Sequence, residues 1–558
     1  MFVPIVPNPS VFRDLNLPTF ICQLLFIVCT TLAFAAPAEA KKLKVDELEQ
    51  GRRLYQEGIL SSGAKLKGVR FDKTVVEGEA AACTKCHRKS GMGSLEGSNV
   101  VPPVTGPFLF PGENRPLALV DPRSSTNLIR PHDSYTDKSL AKVILHGVNK
   151  QGGQLNAIMP RYSLGDADMK ALIHYLKQLS AELSPGVKDD GLSFATVITP
   201  GVDPQQRDLL LKMMRTAFVQ RNASQQPSSG RMRMGPALLP HKVRNWELKV
   251  WELQGPPETW GSQLVEKYKR EPVFAMISGL SNTTWAPVQE FCQQEQLPCL
   301  FPSVDLAPTN ESFYSMYFSR GVALEADVLA RYLIDKKSQR PQRLLQVYRQ
   351  DDSTREAARA LTKALSGSGI VVEDRVLSKA DPEDLRKALE GIEDKDAAMF
   401  WLRPADLLAL DKVAPSKPLA ESYFSALLAD GESAAIPTAW KPIAKLVYPY
   451  EIGEKRRKNM LPLKGWLGSL QIPLVNETLQ SEVYLNLILL DELVTIMLDN
   501  VYRDYLVERG EDMLSTGADI TAYPHMSLAP GQRFASKGGY IVRFDGDKLA
   551  AESEWIVP

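Results

Sequence analysis

Net charge of either sign is missing from this chain of 558 residues, in which 66 basic residues balance 66 acidic ones. That removes the electrostatic case for a nucleic-acid partner. Histidine is scarce, at 6 residues, and only His241 and His525 lie beyond position 174. No Ser-His-Asp constellation is readable from so few, and clusters of His and carboxylates of the metal-binding type are absent from the sequence. No Gly-x-Gly-x-x-Gly follows a strand pattern, and there is no Walker loop. The chain is therefore not expected to be an enzyme with a catalytic centre of its own. Long apolar runs are also missing: beyond the N-terminal segment, no stretch approaches the roughly 20 apolar residues that span a membrane. There is no short internal repeat and no long low-complexity tract. At roughly 100–200 residues per domain, the length calls for several domains.

Cysteine is sparse, at 6 residues, and the six fall into pairs. The informative pair stands in Cys83-Thr84-Lys85-Cys86-His87, a Cys-x-x-Cys-His pentapeptide. Two thiols three positions apart can each add across a haem vinyl group, and the adjacent His reaches the iron as proximal ligand. The expected cofactor is one covalent haem c, held by Cys83 and Cys86. The alternative is half of a zinc site, which needs about four N/S ligands, and no second Cys/His pair follows nearby.

The iron is expected to take a second axial ligand, most often Met or His. Met159 leads, with Pro160 stiffening the backbone beside it, so His87 and Met159 are the expected metal ligands. Met92 is only five positions past His87 and would be strained in reaching the opposite face. His132 sits in a Pro-rich loop, His146 at the end of a helical pattern, and His174 within one; all three remain alternatives.

The other two pairs bear on compartment. Cys22 and Cys29 lie in the N-terminal apolar run Phe20 to Ala36, which is followed by Ala38-Glu39-Ala40. This reads as a signal peptide over 1–40 with an A-x-A cleavage pattern, so the mature chain is expected in the periplasm with no membrane span, or anchored if the signal stays uncleaved. Cys292 and Cys299 stand close together in sequence, and an oxidising compartment favours a disulfide between them; the alternative is two buried thiols.

Helical spacing marks Val45 to Gly58, with Leu48, Gly51, Leu54 and Tyr55 on the buried stripe. Gly inside a helix costs about 1 kcal/mol against Ala, so Gly51 implies a close crossing, with Tyr175 and Leu176 as partners. A second helix starts near Gly165-Asp166 and carries Met169, Leu172, Ile173, Leu176 and Leu179. Together with Gly106-Pro107-Phe108-Leu109 and Met159-Pro160, these features resemble a class I cytochrome c domain from about Val45 to Ser180. In that family the Pro carbonyl accepts a hydrogen bond from the proximal His, so the resemblance gives Pro107 that role toward His87. The long segment Leu60 to Ala80 and the stretched loop Arg88 to Pro103 depart from the family pattern.

Ser184 to Gly191 is a short Pro/Gly/polar stretch, and the boundary is placed there: a first domain over 41–184, a linker over 185–191 and a second domain over 192–558. Strand patterns at Leu192–Ile198, Trp246–Leu253, Pro272–Gly279, Leu297–Phe301, Arg343–Tyr348, Gly369–Val376 and Ala397–Leu402 alternate with helical ones. Such alternation implies parallel sheets covered by helices, with room for two lobes. This half resembles the type I periplasmic binding proteins of the branched-chain amino acid class. The expected fold is thus multidomain, an all-α cytochrome c domain followed by a two-lobed α/β domain.

By that resemblance, ligand contacts come from loops after the strands, with Ser278, Ser281, Asn282 and Thr283 as candidates for a small-molecule solute. The alternative for each is ordinary capping. Trp285, Trp401 and Arg403 are further candidates for the cleft wall. The family's Tyr-Gly pair after the second lobe's Asp-rich turn is replaced here by Ser353-Thr354, which blocks any transfer of amino-acid specificity. The expected function is an exported monohaem electron carrier with a redox partner protein, whose solute-binding-like module couples ligand to electron transfer. The rivals are a solute receptor for a transporter with ancillary haem, and an electron-accepting subunit of a periplasmic dehydrogenase.

Overall fold

A computed structural model describes residues 46–96, 99–110, 118–119, 128–129, 133–224, 242–310, 312–415, 419, 421–431, 436–515, 522–546 and 548–558. The signal-peptide reading, Cys22, Cys29, His132 and His241 lie outside them. Among the described residues no helix is long and apolar enough to cross a membrane. The chain divides by contact into two units: the first holds residues up to His87, then Val104–Arg115 and His132–Ala181, and the second holds the rest.

In the first unit, helix 46–57 buries Leu54 and Tyr55. A Cβ on Gly51 would lie 2.2 Å from the Ala171 carbonyl oxygen and 2.6 Å from Tyr175 Cβ, so only glycine permits this approach to the helix Asp166–Gln178. Tyr55 and Tyr175 meet at the same crossing with ring centroids 5.3 Å apart. The short helix Gly106–Leu109 closes on the end of the same long helix, where a Cβ on Gly106 would fall 2.2 Å from Lys177 O. Helices are not the whole unit. The departing segment 60–80 folds back as a hairpin of Lys67–Val69 and Val75–Glu77, and Lys67–Val69 also pairs antiparallel with Arg161–Tyr162.

The second unit has two lobes. In the first lobe, Gly191–Ile198 lies between Asn245–Glu252 and Ala275–Ile277, followed by Cys299–Leu300 and Ser315–Met316, all in parallel. In the second, Val371–Leu377, Arg343–Arg349, Asp396–Trp401, Glu421–Ser425 and Ala444–Tyr448 run parallel, and Tyr540–Asp545 and Lys548–Ala551 add antiparallel edges. Strand interiors read as near-continuous apolar runs because helices cover both faces. Each lobe has its own apolar core, one around Trp251, Trp260 and Phe291, the other around Leu344, Met399 and Trp401.

Three segments join the lobes. Tyr317 to Gly321 leads from Ser315–Met316 into the helix Val322–Asp335. Residues 449–452 lead out of the second sheet into four helices, of which Glu477–Met497 and Arg503–Leu514 return to the first lobe. The third segment, 531–539, leads back to Tyr540–Asp545 and pairs with the first: Tyr317 N–H donates to Arg533 O at 2.8 Å and Ser536 N–H to Phe318 O at 2.7 Å.

Two expectations are corrected. Cys292 and Cys299 are free buried thiols, both within sulfur contact of Met276 Sδ, at 3.7 and 3.9 Å. The thioether packs against both sulfurs at the end of the helix Ala286–Gln294, and the two thiols also lie within hydrogen-bonding reach of each other. The stretch 185–191 is tied to the first lobe: Val187 bridges Leu192, Ser193 N–H donates to Gly186 O at 2.9 Å, and a Cβ on Gly186 would fall 2.2 Å from Phe274 N. Finally, Arg88–Pro103 packs with the second unit rather than the first, for a reason that lies in the helix Arg503–Leu514.

Candidate haem site and ligand cleft

Cys83, Cys86 and His87 share one turn. The helix Thr84–His87 closes with His87 N–H donating to Cys83 O at 2.9 Å, which sets both sulfurs on adjacent corners of a single turn. Helix 46–57 holds that turn, since Thr84 Oγ1 donates to Gln56 O at 3.3 Å and Gln56 Nε2 to Tyr175 Oη at 3.0 Å. Both thiols are unbridged and half-buried. Burial pushes the Cys83 thiol up to about 12. The Tyr162 phenol is also pushed well up, first by burial and then by the proximity of Cys83 and Cys86. Tyr162 is three residues past Met159, so the two thiols and the methionine segment converge.

Met159 is half-buried at the tip of a turn. Asn156 builds that turn: its side-chain oxygen accepts from Ile158 N–H at 3.0 Å, and its carbonyl accepts from Met159 N–H at 3.2 Å. Arg161 anchors it, with guanidinium N–H groups on Met159 O at 2.5 Å and Leu155 O at 3.5 Å. The same guanidinium lies flat over Gly147, where a Cβ would come within 1.9 Å of Nε. The hairpin clamps the other side, as a Cβ on Gly68 would meet Pro160 Cβ at 2.8 Å.

Among the rival ligands, Met92 is buried in the second unit, with its N–H on Ser90 Oγ at 3.1 Å. His146 is exposed at a helix end, and His174 is half-buried beside Gln178 at 3.0 Å. Pro107 is half-buried in the first turn of Gly106–Leu109. The residues fit a covalent haem: two thiols outside any disulfide on one turn, an imidazole beside them, and a thioether on a braced loop in the same unit.

In the second unit, strand ends of the two lobes face one another. Arg403 spans the gap. Its guanidinium pairs with Asp305 of the first lobe at 2.8 Å and Asp351 of the second at 3.1 Å, and donates to Asn282 O at 3.3 Å. Ser353 Oγ donates to the same Asn282 carbonyl at 3.4 Å. Of the expected solute contacts, Asn282 and Thr283 are half-buried beside this bridge. Ser278 and Ser281 are buried and engaged within the lobe. Ser278 Oγ accepts from Asn486 Nδ2 at 2.7 Å, and Ser281 Oγ accepts from Thr199 Oγ1 at 2.9 Å and from Thr283 N–H at 3.3 Å. Trp285 and Trp401 are core residues, both almost fully buried.

Sequence reasoning missed Glu482. It lies deep near Asp305, accepts from Ser303 Oγ at 2.5 Å and Tyr523 Oη at 2.7 Å, and burial pushes it up to about 7. Tyr523 stacks on Phe318 of the first joining segment at 5.6 Å.

Residues 75–180 match the family model of cytochrome c. No curated protein matches the chain. Among solved structures, the chain is similar to a fatty acid ABC transporter substrate-binding protein from Thermomonospora curvata, with 15% identity and a TM-score of 0.50, over 68% of this chain and 95% of that one. It is also similar to an ABC transporter solute-binding protein from R. palustris in complex with benzoate, with 14% identity and a TM-score of 0.49, over 66% of this chain and 98% of that one. The chain thus joins a cytochrome c domain to a two-lobed α/β fold of the solute-binding-protein kind.

Proposed function

We propose that the protein is an exported carrier of single electrons, holding one covalent haem c and a fused module that binds a small solute. Bound at this site, haem c supplies a one-electron Fe(III)/Fe(II) couple. Cys83 and Cys86 attach it, His87 and Met159 ligate the iron, and the Pro107 carbonyl orients His87. Tyr162 and the burial around Cys83 limit water on the thiol side. Arg161 holds the Met159 turn in one conformation. The observations that support the reading are the Cys-x-x-Cys-His turn within the cytochrome c match and, in the same unit, the Met159 turn braced by Arg161. Electrons pass to and from a redox partner protein in the periplasm, and no substrate is transformed.

For the second module, polar contacts of Arg403, Asp305 and Ser353 bridge the lobes across the cleft. Such polar contacts supply little net stability and exchange readily for a ligand. This supports a cleft that opens and closes on a solute over one that serves only as a docking scaffold.

An optical redox titration of the exported protein, with and without a panel of solutes, tests both parts. A low-spin spectrum with the weak far-red Met–Fe(III) band is expected in wild type, and loss of that band in Met159→Ala. A potential that moves with one solute supports coupling. A high-spin wild-type spectrum refutes Met159 as ligand.

A further inference from the structure

The chain passes from the first unit to the second at the peptide bond between His87 and Arg88. Arg88 has φ +65°, in the left-handed region that few residues other than Gly occupy. Strain of this kind persists only where surroundings over-determine it. Here Glu511 does so, pairing with Arg88 at 2.7 Å while both side chains are largely buried; Asp512 adds a longer contact at 3.7 Å. Two positions on, Ser90 donates to Glu508 from N–H at 2.9 Å and from Oγ at 2.5 Å. Between them, Lys89 Nζ donates to Tyr314 Oη at 3.0 Å. Three consecutive residues after the proximal His are thus gripped by the second unit, and these contacts draw Arg88–Pro103 out of the first.

Glu511 faces two ways. Its other oxygen accepts from Arg533 Nη1 at 2.6 Å and from Gly531 N–H at 3.0 Å. Arg533 belongs to the third joining segment, and its carbonyl accepts from Tyr317 N–H of the first. One buried carboxylate therefore connects the segments on which the lobes hinge to the residue bonded to His87. Moving those segments must strain or relax the Arg88 grip, because a buried ion pair cannot be lengthened cheaply.

We propose that Glu511 is a positioning residue for the proximal side of the haem, transmitting the state of the lobe hinge to His87 through Arg88. The inference rests on the reading that His87 ligates a covalent haem. The test uses the full-length haem-loaded protein as Glu511→Gln, Arg533→Gln, Arg533→Lys and the double variant Glu511→Gln/Arg533→Gln. Midpoint potentials and the hyperfine-shifted proton resonances of the proximal imidazole in the ferric protein, by NMR, are measured for each. Thermal unfolding is followed separately, so that loss of fold is not mistaken for loss of positioning. Glu511→Gln removes the nearer of the two carboxylates on the Arg88 cation, leaving Asp512 at 3.7 Å, and so disfavours Fe(III). The reduced-to-oxidised ratio at fixed poise should rise about tenfold, or about 59 mV for one electron. Arg533→Gln should shift the ratio about threefold and move those resonances, Arg533→Lys should restore both, and in the Glu511→Gln background Arg533→Gln should add nothing. A potential indifferent to Arg533→Gln, or the same shift in both backgrounds, overturns the inference while leaving the haem reading intact. Absence of covalent haem from the wild type overturns both.

Discussion

Glu325, Glu482 and Glu508 are carboxyls placed out of reach of water, and burial pushes them up to about 8, 7 and 7. Each is hydrogen-bonded in compensation: Glu325 by Ser425 Oγ and Leu427 N–H, Glu482 by Ser303 and Tyr523, Glu508 by Ser90. A folded-state value above the unfolded one means the native state binds protons more tightly. The stabilisation is fully present below about pH 4.5 and is lost as pH rises through about 7 to 8. Glu421 runs the other way: two lysines, Lys336 and Lys445, overcome its desolvation and hold it at about 2, so its contribution is lost only below pH 4.5. Stability measured by urea unfolding should therefore peak near pH 5 and decline toward pH 8.5. Glu482→Gln should flatten part of that decline, by roughly 3 kcal/mol at most; an unchanged profile would show that Glu482 titrates normally. At Gly51 the prediction is steric. Gly51→Ala puts a methyl 2.2 Å from a backbone oxygen, and the cost should be roughly 1–3 kcal/mol in the first unit.

The helix Arg503–Leu514 shows how an element can mislead. Six of its 12 residues are charged, which reads as a solvated surface helix, yet Arg503, Glu508, Arg509 and Glu511 are all buried. Arg503 fans its guanidinium over the carbonyls of Phe274, Val273, Glu295 and Pro185 and over Tyr268 Oη, tying the helix to the first lobe's sheet. Arg503→Ala would orphan these acceptors, and a loss of about 3 kcal/mol is expected as a lower urea midpoint at unchanged slope. Arg503→Lys should recover only part, since an ammonium lacks the planar fork. By contrast, helix 46–57 and Asp166–Gln178 were readable residue by residue, because their apolar stripes repeat at helical spacing and face a single core. The hairpin Lys67–Val69/Val75–Glu77 was noticed only as extra length; its pairing partner lies about 90 residues away, beyond any local pattern.

Across the whole second unit, the lobe contact is the decisive feature. Arg403→Ala removes the bridge to Asp305 and the contact with Asn282. Hydrogen exchange by mass spectrometry should then show faster exchange of amides at 280–284 and 349–354, with the sheet interiors unchanged. Unaltered exchange at both loops would mean that the ion pair does not hold the lobes together. Since exposed or half-exposed ion pairs are worth about 0–1 kcal/mol, the change should be severalfold rather than a full opening.

The pentapeptide and the strand–helix alternation are local signals, so the sequence by itself determined the cytochrome c resemblance, the order of elements and the two-lobed class. Spacing along a chain reports which face a residue shares with its near neighbours. It does not report which distant residue meets it. Only the tertiary structure decided that Cys292 and Cys299 pack on Met276 instead of bonding, that Ser278 and Ser281 serve the lobe interior, and that Arg403 closes the cleft. It also decided that the residues after His87 are held by Glu508 and Glu511, more than 400 positions on. Buried charges are tolerated only where their partners converge, and that convergence is a property of the folded chain.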